Sequence, residues 1–174
     1  MEELVKNSKW ILMAGALAVF PCEGAQTLVS ERTLSVDAAL EAAKVALDFC
    51  RKEGHTVTVT VLDHAARTKV VLREDGANPH TIQNSMNKAY TALTYRMPSS
   101  EFGKRNAENF PASAGALFLD KVTTAAGGLP IFAGKDIVGS IGISGTPGAA
   151  GGGAADAKCA QAGIDRIAKG LSGG

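Results

Sequence analysis

The chain has 174 residues, of which 45% are hydrophobic and 20% charged, and its formal net charge is +1. This length suggests a single domain, since domains typically hold about 100–200 residues, and the apolar content is enough for a sizeable core. The balanced charge, with no run of basic residues, gives no electrostatic case for binding nucleic acid and excludes a long charged tail.

The first 25 residues have the pattern of a secretory signal peptide. Lys6 and Lys9 precede an uninterrupted apolar run, Trp10–Phe20, and small residues follow that run. A basic start, an apolar stretch of about 7–15 residues and a small-residue cleavage site define such peptides. The apolar run is also too short to span a bilayer, so the sequence predicts export without a membrane span.

Cleavage of the signal peptide, residues 1–25, would leave one domain over residues 26–174 in the periplasm or outside the cell. A lipid anchor on Cys22 and a buried N-terminal helix remain alternatives to cleavage. The two other cysteines, Cys50 and Cys159, lie in predicted helices. An oxidising compartment would allow them to form a disulfide, but two buried free thiols fit the sequence equally well.

The first predicted elements of the domain are a helix and a hairpin. Ser35 can cap a helix, and Gly54 can end it. The apolar positions of this helix, spaced three and four residues apart, are Val36, Leu40, Ala43, Leu47 and Cys50. Thr56–Leu62 alternates threonine with valine, which predicts a strand with valines on one face, and Arg67–Arg73 returns as its partner.

A second helix is predicted from Asn78, the N-cap, with Pro79 at its first helical position. Its apolar stripe consists of Ile82, Met86, Ala89, Leu93 and Met97. Pro98 ends this helix and a shorter one follows, from Ser99 to about Arg105. Residues 114–119 fit either a helical turn or a short strand.

The stretch Leu129–Gly145 predicts a second hairpin, with a tight turn at Gly134–Asp136. Period-two alternation in its second strand separates Ile137, Gly139, Ile141 and Ile143 from Val138, Ser140, Gly142 and Ser144. The second set leaves one face nearly bare, which predicts that a helix, another backbone or a ligand lies close against it. A last helix begins at Ala154. The short connections between strands predict an α+β fold, with helices packed on an antiparallel sheet.

Few residues indicate a reaction. The glycine-rich run before the last helix lacks the ending of a phosphate loop, and no serine lies in a nucleophile elbow. The three histidines, His55, His64 and His80, have no spacing typical of a metal site. His80 is the strongest candidate for a metal ligand, because a neutral imidazole at the start of a helix has a lone pair free for a metal. A solvated surface histidine is the alternative.

Five segments, in their order and spacing, form a pattern typical of a known protein family: Val59–Asp63, Glu74–Ala77, Asn87–Ala92, Gly127–Ile131 and Gly139–Gly145. Together they resemble the haem-degrading/GlcG-like family, which includes secreted haem-binding proteins and the C-terminal domain of PduO-type proteins. The resemblance implies a profilin-like or PAS-like α/β sandwich around an antiparallel sheet of about five strands. It also implies a homo-oligomer that binds haem or a related tetrapyrrole, with a corrinoid or no cofactor as alternatives.

Two features depart from the family. Asp63–Ala66 stands where members often have Asp-x-Gly-Gly, and the chain lacks the Glu-x-x-Glu pair associated with iron binding in a secreted relative. We expect haem near the start of the second helix, with His80 as axial ligand to the metal, Lys88 as partner of a propionate and Tyr90 as alternative axial ligand.

The sequence identifies no catalytic residue. It favours a haem-binding protein over an enzyme that acts on haem or a small molecule, and over a non-catalytic assembly or accessory protein.

Overall fold

The computed structural model describes residues 28–148 and 153–172, and its helices and strands lie in the unit that begins at Glu31. The predicted signal peptide lies outside the described residues. In chain order the elements are α1 (Val36–Lys52), β1 (Thr58–Asp63), β2 (Thr68–Arg73), α2 (His80–Tyr95), α3 (Ser99–Glu108), a 3₁₀ helix (Ala114–Phe118), β3 (Gly128–Ala133), β4 (Asp136–Ser144) and α4 (Ala154–Leu171).

The strands form one antiparallel sheet in the order β2-β1-β4-β3. Helices α1 and α4 pack on one face of this sheet, and α2, with α3 beside it, packs on the other. The predicted α+β sandwich is therefore confirmed. The expected number of strands, about five, was too high for the described residues, which form four. The stretch Ala114–Phe118, which could have supplied a further strand, winds into a 3₁₀ helix instead.

The apolar core lies between the sheet and the pair α1–α4. Val57, Val59 and Val61 point into it, as the alternation predicts. In α1, however, alanines cover the sheet, while Val36 is 56% exposed and Leu40 48% exposed, so the predicted stripe was wrong at these positions. The buried face of α1 needs small residues because α4 approaches it closely: a Cβ on Gly163 would lie 2.5 Å from the Ala42 carbonyl oxygen.

A disulfide joins the two helices that cover this core. Cys50 of α1 and Cys159 of α4 are both fully buried, and their Cα atoms are 5.5 Å apart. The pairing that the sequence left open is therefore formed. It closes a loop of 109 residues that includes the whole sheet.

A β-bulge changes the alternation predicted for β4. Ile131 pairs with Gly139, whereas the next residue, Phe132, pairs with Ile137, so Val138 is the extra residue. Val138 consequently lies in the apolar core with Ile141 instead of on the bare face. Beyond the bulge the predicted alternation holds.

The other face of the sheet is polar, and α2 covers it with polar side chains. The Thr58 and Thr81 hydroxyl oxygens are 2.7 Å apart, and those of Thr60 and Ser85 are 2.8 Å apart; all four side chains are fully buried. We call these four residues the hydroxyl seam. A Cβ on Gly142 would overlap the Ser85 carbonyl oxygen, so α2 packs directly against the bare face of β4.

This arrangement corrects the predicted apolar stripe of α2. Ile82 is 41% exposed and Met86 is only partly buried, while Thr81, Ser85 and Lys88 face the sheet. The stripe was wrong at Ile82 and Met86 because the helix matches hydroxyls with the threonines of β1, whose buried oxygens would otherwise lack partners. Its later members Ala89 and Leu93 are buried, as predicted.

Two buried serines provide a matched test of the seam. Ser85→Ala leaves the Thr60 hydroxyl buried without its partner, so we expect a loss of about 1–2 kcal/mol in the free energy of unfolding. Ser140 is equally buried, but its hydroxyl oxygen has no partner among the described residues. Ser140→Ala should therefore be neutral or stabilising. Urea unfolding midpoints compare the two variants, and equal losses would contradict this account of the seam.

Candidate functional site

Helix α2 begins one residue later than the sequence predicts. Pro79 occupies the cap position without a side-chain hydrogen bond, so Asn78 is not the N-cap. Instead the Thr81 amide and hydroxyl both donate to the Asn78 carbonyl, at 3.0 and 2.6 Å. His80 is therefore the first residue of the helix, and it is exposed to solvent.

A polar cavity of about 420 Å³ lies beside this helix start, between α2, the end of β4 and the start of α4. We call it the α2–β4 cavity. Its wall includes the side chains of Asn78, His80, Asn84, Lys88, Ser144 and Thr146. The structure therefore brings two of the three predicted site residues, His80 and Lys88, to one cavity.

Lys88 and Asp156 are the two buried charged groups of the wall. The Lys88 Nζ donates to Asp156 Oδ2 at 2.7 Å and to the Ile143 carbonyl at 2.9 Å, and both charged side chains are 3% exposed. The second carboxylate oxygen of Asp156 accepts from the Thr146 amide at 3.1 Å. This buried ion pair therefore ties α2 and α4 to the end of β4.

Two glycines make room for this pair. Gly127 has φ +119°, and a Cβ there would lie 2.7 Å from the Cβ of Asp156. A Cβ on Gly128 would overlap the Lys88 carbonyl. The Gly127-Gly128 dipeptide before β3 is needed for this close approach, since any larger residue would push α2 and α4 away from the sheet.

Tyr90, the third predicted site residue, lies outside the cavity wall. It is ten positions beyond His80 on α2, about 15 Å along the helix axis. The Lys121 ammonium lies 5.8 Å from the centre of its ring, within the range of a cation–π contact. His80 and Tyr90 are therefore not adjacent, and the assignment of Tyr90 as an alternative axial ligand stays a prediction.

A second concavity, of about 650 Å³, adjoins the α2–β4 cavity. We call it the α3 groove. Its wall is formed by Ser100, Gly103, Lys104, Ala107, Thr124, Ala125 and Ala126. Ala125 belongs to the walls of both concavities, so a polar cavity and a groove with small side chains lie side by side.

Sequence patterns did not reveal three residues of the cavity wall, Asp156, Ser144 and Thr146. Asp156 and Lys88 are 68 positions apart in the sequence, so no local sequence pattern predicts that they form a pair. Ser144 was placed on the bare face, and Asn84 donates to its hydroxyl oxygen at 2.9 Å. The only signal was the glycine-rich connection after β4, which leads to the first turn of α4.

Within residues 28–148 and 153–172, no group of three or more His, Cys, Asp or Glu side chains could hold a metal ion. No helix in the same ranges combines the length and the hydropathy needed to cross a membrane.

Comparison with known proteins agrees with this fold. The model of the family described as haem-degrading protein HbpS-like matches residues 34–165. A double mutant of HbpS from Streptomyces reticuli is 34% identical, with a TM-score of 0.71; the match covers 79% of this chain and 89% of that one. PduOC in complex with haem has a TM-score of 0.68 at 21% identity, over 78% of this chain and 95% of that one, which shows a shared fold.

A curated relative from Citrobacter freundii, a 15.0 kDa protein from the dhaT-dhaS intergenic region, is 33% identical over 92 residues. That match covers 51% of this chain and 63% of the relative, so it spans less than two thirds of the relative's length. The family model, by contrast, covers most of the domain described above. The chain belongs to the haem-degrading HbpS-like family.

Proposed function

We propose that this protein binds haem, or a related tetrapyrrole, at the α2–β4 cavity and the adjoining α3 groove. The observation that carries the proposal is that His80 and Lys88 lie in the wall of one cavity, at the helix start where their residue types and positions led us to expect the ligand. Membership of a family described as haem-degrading supports it, as does the crystallisation of PduOC with haem.

The residues present fit such a ligand. Haem combines a flat apolar ring, two carboxylates and an iron that accepts a nitrogen ligand. The exposed imidazole of His80 can reach a ligand at the mouth of the cavity. The polar wall suits the carboxylates, and the small side chains of the α3 groove leave room for a flat ring.

In this proposal His80 holds the iron and Lys88 supports a propionate. Because the Lys88 ammonium is already bonded to Asp156 and to the Ile143 carbonyl, its contribution is a fixed donor and not a mobile counter-ion. Bound haem would supply an iron centre able to exchange electrons or bind a further small ligand.

We further propose that the protein is exported to the periplasm or the exterior and acts as a homo-oligomer. The Cys50–Cys159 disulfide supports export, because disulfides persist mainly in oxidising compartments. Large exposed apolar side chains around the 3₁₀ helix support assembly: Phe110 is 64%, Phe118 88% and Leu119 55% exposed. Native mass of the purified protein measures the assembly directly.

Oxidative cleavage of haem is the second candidate function, favoured by the description of the family. No residue of the cavity is assigned a catalytic role. Incubation of the haem complex with a reductant, in the presence of catalase, distinguishes the two functions: intact haem indicates binding, and loss of the Soret band indicates an enzyme.

Titration with hemin tests the binding proposal. We expect the protein to shift the Soret band, and His80→Ala to weaken binding by at least about tenfold, since even the outer partners of metal ligands contribute that much. His55→Ala is the matched control, because it removes a histidine that does not line the cavity. An unchanged affinity and spectrum for His80→Ala would remove His80 from the site, and no Soret shift with the unmodified chain would overturn the proposal.

A further inference from the structure

The α2–β4 cavity has an excess of hydrogen-bond donors. Both carboxylate oxygens of Asp156 are occupied, one by the Lys88 ammonium and the other by the Thr146 amide. Lys88 has three N–H donors and uses one on Asp156 and one on the Ile143 carbonyl. No acceptor for the third lies among the described residues. The negative charge of the wall is thus satisfied internally, while a donor of the ammonium is left over.

Two hydroxyls add to this excess. Ser144 is 2% exposed and accepts a hydrogen bond from Asn84, so its own hydrogen is left without an acceptor in the described part of the chain. The hydroxyl oxygen of Thr146 is buried and has no partner there either. Thr146 belongs to the cavity wall, and rotation about its χ1 can exchange the positions of the hydroxyl and the methyl group without moving the backbone.

Buried donors without acceptors are costly, and a ligand that carries acceptor oxygens would satisfy them. Ser144 ends β4 and Thr146 follows it by two positions, while Lys88 reaches the same wall from α2 and donates to the carbonyl of the neighbouring Ile143. A carboxylate has two oxygens with several lone pairs, so it can accept from more than one of these donors at once. Its charge strengthens each hydrogen bond.

We propose that the α2–β4 cavity is a carboxylate-binding site, with the Ser144 and Thr146 hydroxyls and the free N–H of Lys88 as its donors. The inference rests on the proposed function, because it assigns this cavity to the propionate end of the tetrapyrrole and leaves the ring to the α3 groove. The same groups could donate to the carboxylate of a small free acid, so the experiment has one arm for each source.

The first arm uses small acids. The full chain, labelled with ¹⁵N, is titrated with acetate and with succinate at constant ionic strength, with acetamide as the uncharged control. We expect saturable shifts of the Ser144 and Thr146 amides with the acids alone. Thr146→Val, which keeps the shape of the side chain, should weaken this binding by about tenfold, as expected for one hydrogen bond to a charged group. Thr146→Ser should restore it, and Ser140→Ala should not change it.

The second arm compares hemin with its dimethyl ester, in which the carboxylates are blocked. We expect the ester to bind at least about fivefold more weakly than hemin, and Thr146→Val to weaken hemin but not the ester. This result, with or without acetate binding, identifies the propionate as ligand. Binding of the small acids without any binding of hemin would retain the carboxylate site and refute the proposed function.

The inference is overturned if hemin and its ester bind equally and neither acid shifts the Ser144 or Thr146 amides. In that case the tetrapyrrole proposal stands and the cavity is not a carboxylate site. If neither hemin nor the acids bind, both proposals are wrong.

Discussion

Lys88→Met is expected to lower the free energy of unfolding by about 3–5 kcal/mol, the usual cost of removing one partner of a buried ion pair. The variant leaves the Asp156 carboxylate 3% exposed with no cation beside it. It also removes the donor to the Ile143 carbonyl. Urea unfolding followed by circular dichroism measures the loss.

Two controls test whether the loss of stability comes from leaving a buried charge without its partner. Lys88→Met combined with Asp156→Asn removes both charges and keeps an acceptor for the Thr146 amide, so it should recover most of the lost stability. Arg166 and Glu41 form an ion pair of the same 2.7 Å length, but their side chains are 60% and 46% exposed. Arg166→Met should cost less than about 1 kcal/mol. A loss as small for Lys88→Met as for Arg166→Met would contradict the account of this pair.

Removing the disulfide with Cys50→Ala and Cys159→Ala together is expected to lower the free energy of unfolding by about 4 kcal/mol, because the bond closes a loop of 109 residues. For a domain of this size the melting temperature should fall by roughly 10 °C. Thermal and urea unfolding, with and without reductant, measure the effect.

The reductant provides the internal control for this prediction. It should destabilise the unmodified protein to about the level of the double variant and leave the double variant unchanged. Coincident unfolding curves for the oxidised and reduced protein would show that the bond does not form in solution.

The layers of this fold could be predicted from local patterns. The threonine–valine alternation of β1 correctly predicts one apolar and one polar face, and the glycines and serines of β4 predict a close neighbour, which is α2. The exposure of Ile82 and the burial of Thr81 and Ser85 could not be predicted from the periodicity of α2, since the polar threonines of β1 decide which side of its first turns faces the sheet. The bulge at Val138 depends on pairing with β3, which no local pattern contains.

The candidate site could be predicted only in part, for a similar reason. His80 and Lys88 lie on one helix, close to or within two of the segments that resemble the family, so they could be predicted from the sequence. Asp156 and Thr146 enter the site through contacts with Lys88 and with each other that form only when α4 packs against the sheet. The disulfide, between residues 109 positions apart, was undecided for the same reason.

Paramagnetic broadening by ferric haem tests the central claim, that the ligand occupies the α2–β4 cavity, most directly. Amide spectra of the ¹⁵N-labelled protein are recorded with and without hemin. The account predicts that signals from the first turns of α2, from Ser144 to Gly148 and from the wall of the α3 groove broaden. Signals from the first turn of α1 and from the turn between β3 and β4, at the opposite end of the sheet, should stay sharp. Broadening centred on either of these two segments, or spectra that hemin leaves unchanged, would contradict it.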